Sequence, residues 1–294
     1  MIGWGEFFAL AAAFCWALSV VLLRKPGLVL PAFELNLFRI VFAVLLLIPT
    51  ILIMEGWSWP HYSAGELGIV LFSGYIGIAV ADTWYLRALN LMGASRTAIV
   101  ASLLSPFVII LSILFLGESL KVWQISGFVL VMGGILLVTW QRSRQEIDAQ
   151  HIRKGMMYGV ASVFLMAVGV VMVKGILETR PFIWTVQLRL LGGLAGMLIY
   201  IVLRGQRLQV ARSFTRSLPW VPIVAGSFLG SYLSMILWLA GYKLIPASVA
   251  SILNETANAW IVLLAWLILH ESLGVRKISG LLMTVAGVAI MLLV

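Results

Sequence analysis

The sequence predicts an all-α integral membrane protein, its ten transmembrane helices arranged as two inverted five-helix repeats. Three observations predict it: apolar runs of about 20 residues recur along the chain, matching residues return about 150 positions on, and basic residues collect in alternate loops. Hydrophobic residues make up 62% of the 294 and charged residues 11%, against about 25% charged in ordinary soluble domains. Mean hydropathy is +1.09, and no soluble core hides that much apolar side chain. Runs of about 20 residues cross a hydrocarbon layer of about 30 Å, and helices satisfy their own backbone there. A closed barrel is excluded, since it needs shorter strands of alternating polarity.

The spans read as residues 5–24, 32–54, 66–88, 96–116, 122–140, 155–174, 182–203, 219–243, 247–269 and 275–293. Turn and interface residues part them: Lys25-Pro26-Gly27, Trp57-Ser58-Trp59-Pro60, Asn90 to Gly93, Leu116-Gly117 and Ile245-Pro246. The first run, 5–23, has no basic leader and no small-residue cleavage site, so it reads as a retained helix. The longest polar stretch divides the chain, giving a first repeat over 1–140, a cytoplasmic linker over 141–154 and a second repeat over 155–294.

The two sides of that linker match. Leu91, Ala94 and Ser95 pair with Leu244, Ala247 and Ser248, Glu118-Ser119-Leu120 with Glu271-Ser272-Leu273, and Ile125-Ser126-Gly127 with Ile278-Ser279-Gly280, all 153 residues apart. Earlier the offset is 150, pairing Gly5 with Gly155 and Arg39 with Arg189, and an insertion after Leu203 accounts for the change. Because each half has an odd number of spans, the second enters the membrane inverted. Loop charge agrees: Arg24, Lys25, Arg87, Arg96, Arg142, Arg144, Arg153, Lys154, Arg204, Arg207, Arg212, Arg216, Arg276 and Lys277 fall on one side, against Lys121, Lys174, Arg180 and Lys243 on the other. The positive-inside rule then puts both termini outside the cytoplasm.

The net charge of +9 is thus a topology signal and not a nucleic-acid patch. Cys15 alone makes no intramolecular disulfide, and His61, His151 and His270 are too scattered for a metal motif, so no metal or cofactor is expected. The expected partners are a small-molecule substrate and membrane lipid, in a monomer or weak homodimer.

At this point the chain resembles the EamA-type branch of the drug/metabolite transporter superfamily over essentially its full length. The resemblance is carried by Leu37-Phe38-Arg39, by Gly77-Ile78-Ala79-Val80-Ala81-Asp82-Thr83-Trp84-Tyr85-Leu86-Arg87-Ala88-Leu89, and by Gly93-Ala94-Ser95, Ser105-Pro106 and Leu116-Gly117-Glu118. The second copy departs from it, with His270 where Gly117 stands, and Glu255 and Asn258 where Ser102 and Ser105 stand. The resemblance implies alternating access, export of small metabolites and a multi-pass place in a bacterial inner membrane; it does not carry over a substrate.

Charges within a span cost about 2.5–3.5 kcal/mol on insertion scales, so one that persists faces protein or a water-filled cavity. Glu255 lies about 12 Å into its span at 1.5 Å per residue, flanked by Asn254 and, one turn on, Asn258. That carboxylate suits an amino group or a proton exchanged for substrate; the competing reading is a packing hydrogen bond. Arg39 and Arg189 occupy matching places, with Asn36 and Gln187 nearby, as forks for carboxylates or as structural and gating groups. Asp82, with Arg87 five residues on, reads first as a salt bridge and second as a gate or relay. Glu34 and Glu6, near helix ends, are expected to reach the interface. Trp84, Tyr85 and Trp238 stand out among intramembrane aromatics by their nearness to polar residues, although packing explains any one of them. Gly192 and Gly196 form a GxxxG that serves a contact within the chain as easily as a dimer. Pro106, inside the fourth span, is a candidate kink and hinge.

These features favour a secondary transporter exporting a small polar metabolite such as an amino acid, with proton coupling through Glu255. An exporter of cationic drugs shares the architecture. A membrane-embedded enzyme is the rival class, although no nucleophile motif, phosphate loop or paired His and Glu helix supports one.

Overall fold

The computed structural model describes residues 3–56, 58–92, 94–139, 149–215, 217–269 and 274–293, and every regular element among them is helical. Trp57, Gly93, Arg142, Arg144, Arg216 and the segment His270-Glu271-Ser272-Leu273 lie outside the described residues, as do the side chains of Ala94 and Ser95. Among the described residues nine helices are long and apolar enough to cross a membrane: Trp4–Leu23, Phe33–Met54, Ala64–Met92, Ile99–Leu116, Ala149–Thr179, Phe182–Leu203, Trp220–Leu244, Ala247–Ile268 and Val275–Leu292. Val122–Leu137, fifth in the chain, is a shorter apolar helix. These ten segments are numbered below as spans one to ten in chain order.

Two expected boundaries are corrected. The third span runs Ala64–Met92 instead of 66–88, and the sixth begins at Ala149, inside the stretch expected to be linker. Hydropathy marks where lipid ends and not where hydrogen bonding ends, so a helix carrying Arg153 and Lys154 extends into water without penalty. The first turn of Ala64–Gly74 is set by a capping box, in which Ser63 and Glu66 satisfy each other's backbone N–H groups.

The spans are broken in places that recur along the chain. The third and eighth contain π-helical stretches at Tyr75–Val80 and Phe228–Leu233, 153 residues apart. The fourth is interrupted between Ala94–Ala101 and Leu104–Leu116, the ninth between Ala247–Asn254 and Thr256–Leu269. Glu255 therefore stands in a helix break, 153 residues on from Ser102. Pro106 does not kink a continuous helix, because the break precedes it at Ser102 and Leu103. It sits in the first turn of Leu104–Leu116, where a missing N–H leaves no bond unmade.

Spans two and seven open after Pro31 and Pro181, and span nine after Pro246. Proline offers no capping side chain, and at the latter two helices a carboxylate from elsewhere supplies the acceptor. Glu55 accepts from Ile183 N and Trp184 N at 2.9 and 3.0 Å, and Glu118 from Ala247 N and Ser248 N at 2.6 and 2.9 Å. An anion at a helix N-terminus meets both the free N–H groups and the dipole.

Glycine lets the spans approach. A side chain at Gly192 or Gly193 would run into Leu71 or Ile78 of span three, and one at Gly196 into Ala79 and Tyr75. The GxxxG therefore packs within the chain. Spans five and ten form a second close pair, Gly127 and Gly134 lying against Gly287 and Gly280. The largest buried cluster joins spans two, three, six, seven and eight around Leu47, Ile78, Val170, Leu190 and Leu239.

Candidate functional site

The break in span nine exposes a carboxylate to the neighbouring span. Glu255 is 7% exposed, and its backbone N–H is shared between Ser251 O and Ile252 O, both at 3.2 Å. Oε2 accepts from Asn258 Nδ2 at 3.1 Å, the contact one turn away that helical spacing predicts. Oε1 accepts from Ser105 Oγ of span four at 2.9 Å; that hydroxyl also stands 3.0 Å from Ser251 O, so its one proton is shared. Among the described residues no ammonium or guanidinium pairs with Glu255. Asn254 takes no part, since its amide donates back to Ala250 O at 2.8 Å.

The arginines meet the π-helical stretches. Arg39 Nε donates to Ser231 Oγ at 3.0 Å, inside Phe228–Leu233, with its guanidinium 5.1 Å from the Trp16 ring. Arg189, 2% exposed, donates through Nη1 to Ser73 Oγ at 3.2 Å and to Gly169 O, and lies 5.8 Å from the Trp238 ring. A Cβ at Gly77 would come within 3.2 Å of Arg189 Nη2, and one at Gly230 within 3.1 Å of Arg39 Nη2. Each arginine thus rests against a glycine of the other half, and the two glycines are 153 residues apart. Among the described residues Arg189 Nε has no hydrogen-bond partner.

The Asp82 carboxylate accepts from Asn36 Nδ2 at 3.1 Å. The expected pairing with Arg87 is not present: Arg87 stands over the Tyr158 ring at 5.8 Å. Asn36 therefore serves Asp82 and not Arg39. Gln187 donates to Val44 O at 3.3 Å and ties span seven to span two instead of accompanying Arg189. Tyr242 is fully buried, its ring 5.1 Å from that of Trp238. Trp84 packs edge-on against Tyr158 at 6.1 Å and stands apart from this cluster, while Tyr85 is half-buried one turn after Asp82. Glu34 is 5% exposed and accepts from Ser213 Oγ at 3.5 Å.

Sequence reasoning passed over Ser73, Ser231 and Tyr242. A serine in a span carries no charge to mark it, and these are found only through the arginines they face. Ser105 was detectable, because the repeat sets it opposite Asn258.

At one end the seam is tied by polar groups. Arg180 binds Glu66 through Nε and Nη2 at 2.7 and 2.9 Å, and Tyr62 meets Thr185 Oγ1 at 2.8 Å. The Glu66 carboxylate holds the Arg180 guanidinium above its ordinary pKa, and burial pushes the Tyr62 phenol up. With Glu55 and Glu118 these contacts join residues before the central linker to residues after it.

The EamA-like transporter family model matches the chain twice, at residues 3–140 and 153–293. An uncharacterized transporter of Archaeoglobus fulgidus is 20% identical over 285 residues, covering 97% of this chain and 96% of the relative. An uncharacterized transporter of Clostridium kluyveri is 30% identical over 151 residues, about half of each chain at 50% and 47%. A solved crystal structure, 16% identical, superposes with a TM-score of 0.78 over 98% of this chain and 96% of its own, which shows a shared fold. Helices long enough to span a membrane and a family model matching most of the chain lead to one conclusion: this is a multi-pass integral membrane protein belonging to the EamA-like transporter family.

Proposed function

We propose that the chain is a secondary transporter that exports a small polar metabolite, an amino acid or a related compound, by alternating access between two inverted five-helix halves, residues 1–140 and 155–294. One observation carries this reading: the bond between Ser105 of span four and Glu255 of span nine. It links the proposed halves through a buried carboxylate that lacks a cationic partner among the described residues. Rocking of one half against the other makes and breaks this bond, and a substrate ammonium group or a proton supplies the missing positive charge. The double match of the family model and the recurring π-helical stretches, breaks and arginines support the repeat. The odd number of spans in each half supports its inversion.

The charged residues within the spans favour a zwitterion over an organic cation. Asp82 and Glu255 provide negative charge, and Arg39 and Arg189 provide forks that match a carboxylate. Asn36, Arg39, Asp82, Asn258 and Trp238 keep part of their surface uncovered by protein. Both termini are assigned to the non-cytoplasmic side of an inner membrane on the loop-charge count, with the carrier working as a monomer or weak homodimer.

The test is flux. Metabolites are compared inside and outside cells with and without the protein, and the compounds that change are then followed in proteoliposomes under an imposed proton gradient. Movement of amino acids driven by the gradient is the expected result. Movement of organic cations alone makes the chain a cationic drug exporter, a chemically altered product an enzyme, and no solute movement under any gradient removes the carrier reading.

A further inference from the structure

A cleft of about 190 Å³ separates spans three and seven, away from Glu255. It is lined on one side by Tyr75, Thr83, Trp84 and Arg87, and on the other by Met197 and Tyr200. Both spans run in the same direction, since Gly192 lies against Leu71 and Gly196 against Ala79. Their C-terminal ends therefore share one end of the molecule. There Arg87 lines the cleft, and Arg204, the residue that closes span seven, stands 5.9 Å over the Tyr200 ring. Among the described residues neither arginine has a carboxylate or other hydrogen-bond acceptor.

The flanks of the cleft are apolar and exposed. Phe72 and Tyr75 are 53% and 42% exposed on one side, Ile199 and Leu203 55% and 79% on the other, as a surface turned to hydrocarbon requires. From Tyr75 to Arg87 is about 18 Å at 1.5 Å per residue, near the depth of one leaflet of a layer about 30 Å thick. The depth suits one acyl chain. Arg87 lines the mouth, and Arg204 stacks on Tyr200 of the same lining, at the end where the phosphate of such a lipid would lie.

We propose that this cleft is a binding site for an anionic phospholipid, whose phosphate is held by Arg87 and Arg204 and whose acyl chain lies along Tyr75, Trp84 and Met197. Two guanidiniums that lack a carboxylate among the described residues select a net negative headgroup over a zwitterionic one, because the choline of phosphatidylcholine cancels the phosphate charge. The seam it fills joins span three to span seven, so the lipid bridges segments on either side of the central linker. The proposal does not depend on the transport reading, because its readout is lipid retention.

The test uses the full-length protein in mixed micelles carrying equal phosphatidylglycerol and phosphatidylcholine, with bound lipid counted by native mass spectrometry. Phosphatidylglycerol is expected to be retained preferentially, and to bind about 30-fold more weakly in the variant R87A/R204A. Retention recovers in R87K/R204K and is lost in V80W, which fills the cleft without touching the cations. In the wild-type chain, phosphatidylglycerol with a photoreactive acyl chain labels the Tyr75–Arg87 or Met197–Tyr200 segments. Equal retention of the two lipids, labelling confined to other segments, or unchanged binding in R87A/R204A overturns the proposal. Displacement by soluble glycerol phosphate at the same concentration also overturns it, by showing a site for a free phosphate.

Discussion

Spans four and nine break at matching positions and put opposite chemistry there. In span four the break falls at Ser102 and Leu103, and Ser102 turns its hydroxyl back onto Ile99 O at 2.7 Å, closing the polar account locally. In span nine it falls at Glu255, whose carboxylate looks outward to Asn258 and across to Ser105. Since a serine suffices to break one helix, the break does not require a charge. The carboxylate in span nine is therefore an addition to the architecture, placed where lipid-facing chemistry would reject it.

The sharpest way to test that contrast is to remove the charge and keep the shape. Glu255→Gln is expected to lower gradient-driven flux in proteoliposomes by at least about tenfold, as the default role of an intramembrane acid implies. Its pH dependence should flatten while the thermal unfolding midpoint moves by only a few degrees. Unchanged flux would make Glu255 a packing group, equal in kind to Ser102.

Next in size is the partner across the seam. Ser105→Ala deletes one of the two side-chain donors to a buried carboxylate, and hydrogen bonds to charged groups contribute about 1.5–3 kcal/mol. Flux should fall and the unfolding midpoint should drop, both less severely in Ser105→Thr, which keeps the hydroxyl. Glu118→Ala probes the end of the same span without touching its break. It strips Ala247 N, Ser248 N and Ser248 Oγ of their acceptor and should cost about 1–2 kcal/mol of stability by thermal melting, with flux per folded molecule preserved. Smallest is Ser102→Ala, which loses a local bond and should change stability by about 0.5–1.5 kcal/mol, with no effect on pH dependence. A Ser102→Ala variant as inactive as Glu255→Gln would erase the asymmetry between the two breaks.

Much of this was legible in the residues. Runs of apolar side chains announced the spans, and a spacing of three made neighbours of Glu255 and Asn258. Contacts between helices were not legible. Asn36 lies one turn from Arg39 in the chain and yet serves Asp82 of span three; Arg87 is five residues from Asp82 and yet faces Tyr158 of span six. Helical periodicity says which side chains share a face, but the crossing of two spans says what that face meets. The π-helical stretches were invisible for the same reason. One extra residue in a turn leaves composition unchanged and re-aims everything after it, setting Gly77 and Gly230 against guanidiniums from other spans.

The sequence by itself determined that this protein lives in a bilayer and which polar groups it takes there, because the cost of leaving water depends on residue type and run length alone. Only the tertiary structure decided who answers each of those groups: serines and ring faces for the two arginines, an asparagine for Asp82, a hydroxyl from span four for Glu255. Partnership across helices depends on angle and depth of crossing, and those follow from how glycines let whole spans close on one another.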